Sequence, residues 1–151
     1  MNDRYLYRAK RKNWRELPKE MWWVEGYYAY FKGNDNHCIY YETDELTLAC
    51  DIDISTLCAC TGKNDVDGKL IFEHDIVAFL DAYSTENGWS EQSCLGKVCW
   101  DDETLSFQVT ERLSAESYEV LEECKVIGNI FDNPELLEVG CGQKLDWGDV
   151  E

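Results

Sequence analysis

Short aromatic and β-branched runs, each closed within a few residues by turn formers, constrain this chain more than any other feature of its sequence. Tyr5-Leu6-Tyr7, Met21-Trp22-Trp23-Val24, Tyr27-Tyr28-Ala29-Tyr30-Phe31 and Ile39-Tyr40-Tyr41 are too short and too bulky for a helical core, and such side chains pack well on a pleated sheet. Lys12-Asn13, Leu17-Pro18, Gly26 and Gly33-Asn34-Asp35-Asn36 separate them with turn chemistry. The first part of the chain therefore reads as a meander of about three short strands.

Further along, Ile52–Cys60 is a further apolar stretch. It leads through Thr61-Gly62 to the polar turn Lys63-Asn64-Asp65-Val66-Asp67-Gly68. Leu70-Ile71-Phe72 and Ile76-Val77-Ala78-Phe79-Leu80 read as buried strands, with Glu73-His74-Asp75 as a corner between them. The segment from Tyr83 to Ser93 reads as a polar loop. Gly96–Trp100 and Leu105–Val109 form a hairpin by pattern, and Lys125–Ile130 is a last strand. Ser114–Glu122 fits either a short helix or a loop ending in an edge strand. Asn133-Pro134-Glu135 opens a helical turn, with Asn133 as cap and Pro134 preset for the first position.

The predicted fold class is mainly β (β-rich α+β). Residues 1–50 form an N-terminal aromatic β-meander, and residues 51–138 a small SH3-like or barrel-like core with a short terminal helical turn. Residues 139–151 form a flexible tail. The whole is expected to act as one integrated domain, since 151 residues suit a single core.

A composition of 44% hydrophobic and 13% aromatic residues supports a folded body despite 30% charge. No run approaches the roughly 20 apolar residues of a membrane helix, and Met1-Asn2-Asp3-Arg4-Tyr5 lacks the apolar region of a secretory signal. The expectation is a cytoplasmic protein whose eight cysteines are reduced. Several of them, such as Cys99, Cys58 and Cys60, sit in apolar stretches where a thiol packs as a small hydrophobe.

The net charge of -17 is uneven: residues 1–20 hold seven of the fourteen Lys and Arg against three acids. Everything beyond is strongly acidic and should repel polyanions, so nucleic acid is disfavoured as a partner. The interleaving of Arg4, Arg8, Lys10, Arg11, Lys12 and Arg15 with Tyr5, Tyr7 and Trp14 is the one pattern suited to single-stranded nucleic acid. Its plainer use is pairing with acidic patches of the same chain or of a neighbouring subunit. Arg4, Arg8, Arg11, Trp14, Trp22 and Trp23 are the candidate interaction residues.

No catalytic, cofactor or metal site stands out. Placing Gly68 at the sixth position of a calcium loop puts Lys63 first and His74 twelfth, which removes both anchoring acids. Cys58 and Cys60 share one face of a strand, but the chain offers no C-x-x-C pair for zinc. No phosphate-cradling loop and no nucleophile motif is present.

Two segments resemble the YopX family. Thr61-Gly62, Asp65, Gly68-Lys69, Ile71-Phe72-Glu73 and Asp75-Ile76-Val77 are similar to its run of T-G, a D-x-x-G turn and I-[FY]-E-G-D-I-V, with His74 standing where Gly is usual and Lys63 where Leu is common. Val126-Ile127-Gly128-Asn129-Ile130-Phe131-Asp132-Asn133-Pro134-Glu135-Leu136-Leu137 is similar to its closing segment. Tyr7-Arg8-Ala9-Lys10 and Trp23-Val24-Glu25-Gly26-Tyr27-Tyr28 resemble its start.

The resemblance implies phage or prophage origin, residence in a bacterial cytoplasm and a mostly β fold; it implies no catalytic residues. Thr61, Gly62, Asp65, Gly68, Glu73, Asp75, Gly128, Asn129, Asn133 and Pro134 read as fold-defining positions. The leading functional expectation is a non-enzymatic accessory module that binds a host or phage protein or assembles with itself. The alternatives are an acidic mimic of nucleic acid, or a single-strand binder acting through the N-terminal segment.

Overall fold

The computed structural model describes residues 5–110 and 123–138. The chain is mainly β, with antiparallel sheets, and divides into two compact units, 1–60 and 61–151. The Ser114–Glu122 segment and the 139–151 tail lie outside the described residues. Among the described residues no helix is long and apolar enough to cross a membrane.

In the N-terminal unit, β1 (Tyr7–Lys10), β2 (Trp23–Phe31), β3 (Asn36–Glu42), β4 (Thr47–Asp51) and the start of β5 (Cys58–Asn64) lie in the order β4-β3-β2-β1-β5. Four strands precede β5 where three were expected. The additional one is β4, whose Ala, Cys and Asp carry little strand preference and which is held by its ladder to β3, from Cys38↔Asp51 to Glu42↔Thr47. A bridge between Arg11 and Ile52 joins the chain after β1 to the chain after β4. The sheet thereby curls around Ala9, Val24, Ile39 and Ile52, with Tyr7, Tyr28, Tyr41 and Leu57 packed at the edges of this cluster. Gly26 lets β2 lie close against β3: a Cβ there would stand 2.0 Å from the Tyr40 carbonyl oxygen.

In the C-terminal unit, β6 (Leu70–Phe72) precedes a sheet ordered β10-β7-β8-β9, built from β7 (Asp75–Thr85), β8 (Gly88–Asp101), β9 (Ser106–Val109) and β10 (Lys125–Asn129). β7 is buried on both faces, which explains its uninterrupted apolar run. Val77 and Phe79 pack with Ile71, Val98, Val109 and Val126, while Ile76 and Ala78 pack with Leu95, Ile127 and Leu136 on the other side. Each such buried aliphatic or aromatic side chain contributes about 1.5–3 kcal/mol.

The expected loop at 83–93 is a correction. Pairing runs unbroken from Ile76↔Lys97 to Thr85↔Gly88, so those residues form the far end of a long hairpin. Polar composition there reflects a ladder continuing beyond the core, because backbone pairing does not require apolar side chains. The second hairpin, Val98↔Val109 to Asp101↔Ser106, is as read from the sequence, as are the last strand and the turn at Pro134–Glu138.

Candidate interaction surface

The outward-facing cations of β1 are engaged by the chain's own aromatic rings. Lys10 alternates with the core residue Ala9 and is only 3% exposed. Its Nζ lies 3.9 Å from the centre of the Trp14 ring, 4.4 Å from that of Trp22 and 5.6 Å from that of Trp23. Trp14 and Trp22 come from the two short 3-10 turns between β1 and β2, meet edge to face at 4.9 Å, and are anchored by their indole N–H groups, which donate to Asp53 and to the Leu17 carbonyl. The Arg8 guanidinium lies 4.9 Å from the Trp23 ring and that of Arg15 lies 4.3 Å from Trp14. Arg11 turns the other way: it donates to the Met21 carbonyl and to Cys50 Sγ, and its guanidinium carbon stands 5.7 Å from the Tyr41 ring.

The structure thus brings together Arg8, Trp14, Trp22 and Trp23 with Lys10 and Arg15, and leaves Arg11 apart from them; Arg4 lies outside the described residues. Cation–π contacts at partly desolvated sites contribute about 0.5–2 kcal/mol each, so the cluster fastens the 11–22 loop to β1.

Sequence reasoning missed a second surface. Residues directly opposite in an antiparallel pair share a face, so Tyr27, Ala29 and Phe31 on β2 line up with Tyr40, Cys38 and Asn36 on β3, and Ala49 on β4 continues the row. Tyr27 and Phe31 are exposed, Phe31 meets Tyr40 edge to face at 6.5 Å, and the exposed carboxylates of Glu25 and Asp51 flank them on the same face. The outer face of a curled antiparallel sheet is ordinarily polar. The signal was the i, i+4 spacing of Tyr27 and Phe31, which places them on one face of a strand and becomes informative only once the inward face is known to be Val24, Gly26 and Tyr28.

A cleft of about 360 Å³ opens nearby, with Lys12 and Arg15 on one side, Asp35 and His37 on another, and Ile52 and Asp53 between. Asp53 accepts from the Ser55 hydroxyl and from the Trp14 indole, and these bonds hold it below the usual carboxylate range. His37 Nδ1 and the Tyr28 hydroxyl share a hydrogen bond of 2.6 Å, and the Tyr30 ring stacks on the imidazole at 4.5 Å.

Among the described residues no group of three or more His, Cys, Asp or Glu is placed to hold a metal. Among the described residues Cys38, Cys50, Cys58, Cys60, Cys99 and Cys124 are in no disulfide, whereas Cys94 is disulfide-bonded, which corrects the expectation of a fully reduced chain. An export signal speaks to compartment, not to which sulfurs the fold brings together. Burial pushes the Cys38 and Cys99 thiols up, away from the nucleophilic thiolate.

The two sequence motifs meet in the C-terminal unit. Asp65 Oδ1 accepts from the N–H groups of Asp67 and Lys69, while its Oδ2 accepts from Val126 N–H on β10. The family profile described as YopX protein matches residues 6–138. The chain belongs to the YopX family. A search of curated proteins returns no match.

The positions that carried the YopX resemblance do backbone work. Thr61 Oγ1 donates to the Ile71 carbonyl, and Gly62 and Gly68 both adopt φ of 82°, a region natural to glycine. The fully buried Asp75 accepts from Phe72 N–H across the corner. His74, standing where YopX sequences usually carry Gly, keeps the left-handed backbone with φ of 72°, its ring edge-on to Phe131 at 5.6 Å. Asn129 Oδ1 accepts from Phe131 and Asp132 N–H, and Asn133 Oδ1 accepts from Asn129 N–H. The expected cap is thus made differently: the Asn133 carbonyl receives Leu136 N–H while its side chain bonds back to the strand. Gly128 leaves room for that side chain, since a Cβ there would lie 2.5 Å from Asn133 Oδ1.

Proposed function

We propose that this YopX protein is a non-enzymatic protein-interaction module that works through the outer sheet face of its N-terminal unit. The observation that carries the reading is the row of Tyr27 and Phe31, exposed, with the half-buried Tyr40 beside them, aromatic side chains on a face where solvent normally selects polar ones. Aromatic residues are enriched in interface cores, where they bury much area for little lost rotamer freedom. Because Glu25 and Asp51 flank them and the chain carries a net charge of -17, the fitting partner is a protein with an apolar patch and a basic rim. Single-stranded nucleic acid fits less well, since Arg8 and Lys10 are buried against tryptophans and are poorly placed to reach phosphates.

The test is quantitative capture from bacterial lysate by the immobilised wild-type chain and by the double variant Tyr27→Ser, Phe31→Ser. The reading expects specific proteins that bind the wild type, are released by salt, and are lost with the double variant while its melting temperature is unchanged. Equal capture by both chains overturns it.

A further inference from the structure

One edge of the N-terminal sheet is open. Ile52 N–H donates to the His37 carbonyl and Thr43 N–H to the Leu46 carbonyl, which fixes the alternation of the β3–β4 ladder. In that alternation Leu48 and Cys50 direct their backbone N–H and C=O groups at β3, whereas Thr47, Ala49 and Asp51 direct theirs away from it. The Asp51 carbonyl is taken by Lys12 N–H, in agreement with this assignment. The groups of Thr47 and Ala49 remain, and among the described residues no strand pairs with β4 on that side.

Sheet edges are normally blunted by a charge, a proline or a bulge. Here Thr47-Leu48-Ala49-Cys50 has none, the nearest charges being Glu45 before it and Asp51 at its end, and Leu46 before it and Leu48 within it are exposed.

We propose that β4 pairs antiparallel with β4 of a second copy, about a two-fold axis through Leu48. In that register Thr47 of each copy lies opposite Ala49 of the other, so all four outward N–H groups and all four outward C=O positions are matched in four hydrogen bonds. Leu48 meets its equivalent at the axis as a non-hydrogen-bonded pair, the closer of the two spacings. The strand is its own complement, which is what an isologous contact requires. Charge points to the same place. Residues 1–60 carry eight Lys and Arg against ten Asp and Glu, whereas residues 61–151 carry six against twenty-one, so two copies approach with least repulsion through their N-terminal units. Pairing would join the two outer aromatic faces side by side. The inference does not depend on the partner proposed for that face.

Sedimentation equilibrium of the full chain over a concentration series tests it, with Leu48→Lys and Leu48→Cys as variants. The expected result is a monomer–dimer equilibrium that Leu48→Lys weakens at least tenfold, by setting two ammonium groups together at the axis. Leu48→Cys is expected to yield a disulfide-linked dimer under mild oxidation much faster than the wild type does. A monomer at every concentration, or a dimer indifferent to Leu48→Lys with no accelerated cross-linking of Leu48→Cys, overturns the proposal. The Tyr27→Ser, Phe31→Ser comparison is read separately and stands or falls on its own.

Discussion

The Asp65 carboxylate holds three backbone N–H groups drawn from its own turn and from β10, sixty-one residues away in sequence. Replacing it by alanine leaves those donors in a buried setting without their charged acceptor, at a cost of about 2–4 kcal/mol; urea denaturation of Asp65→Ala measures it. At the corner, His74→Gly removes a left-handed side-chain conformation that costs roughly 1 kcal/mol and gives up the edge contact with Phe131 and the 3.8 Å approach of Nε2 to the half-buried Glu73 carboxylate. The variant should match or exceed the wild type in stability, whereas His74→Val should fall by at least about 1 kcal/mol.

Asp53 gives a pH signature. Its bonds from Ser55 and Trp14 depress its folded pKa, so the stability it contributes is complete above the ordinary carboxylate value of about 4 and is lost as pH falls through the lower folded value. The acid limb of melting temperature against pH should therefore be flatter in Asp53→Asn than in the wild type.

Among the elements, β2 and the β7–β8 hairpin show how local chemistry and packing share control. Gly26 was legible as a break, yet it sits inside β2, because what it supplies is close approach to Tyr40. Gly26→Ala should cost about 1–3 kcal/mol by forcing β2 and β3 apart, with loss of the near-ultraviolet circular dichroism of the Tyr28–Tyr30 stack on His37 as its marker. At the hairpin tip, Gly88 has φ of 110°, and the Thr85 hydroxyl donates to its carbonyl. Strand pairing at 83–93 was hidden from sequence because alternation reports burial, and that end of the ladder lies beyond the clusters that bury β7.

For the whole molecule, the decisive quantity is where the charge sits. Salt should act oppositely on the two proposed contacts. It screens repulsion between two copies of a chain of net charge -17 and so tightens the β4–β4 dimer, while it weakens a partner held by a basic rim around the aromatic face. Measuring both affinities at low and high salt separates the two surfaces without any mutation.

The sequence by itself determined the mainly β class, the strands around Ile71 and Val77, the hairpin closing at Asp101, the last strand, and the family, because turn residues and apolar alternation act through local backbone preference. Only the tertiary structure decided the rest. β4 exists through its pairing with β3, since its own residues favour a strand weakly. Lys10 and Arg8 face tryptophans because the 11–22 loop folds back over β1. Tyr27 and Phe31 became a surface once the curl of the sheet had chosen which side of β2 is inside, a choice that rests on contacts between residues far apart in the chain.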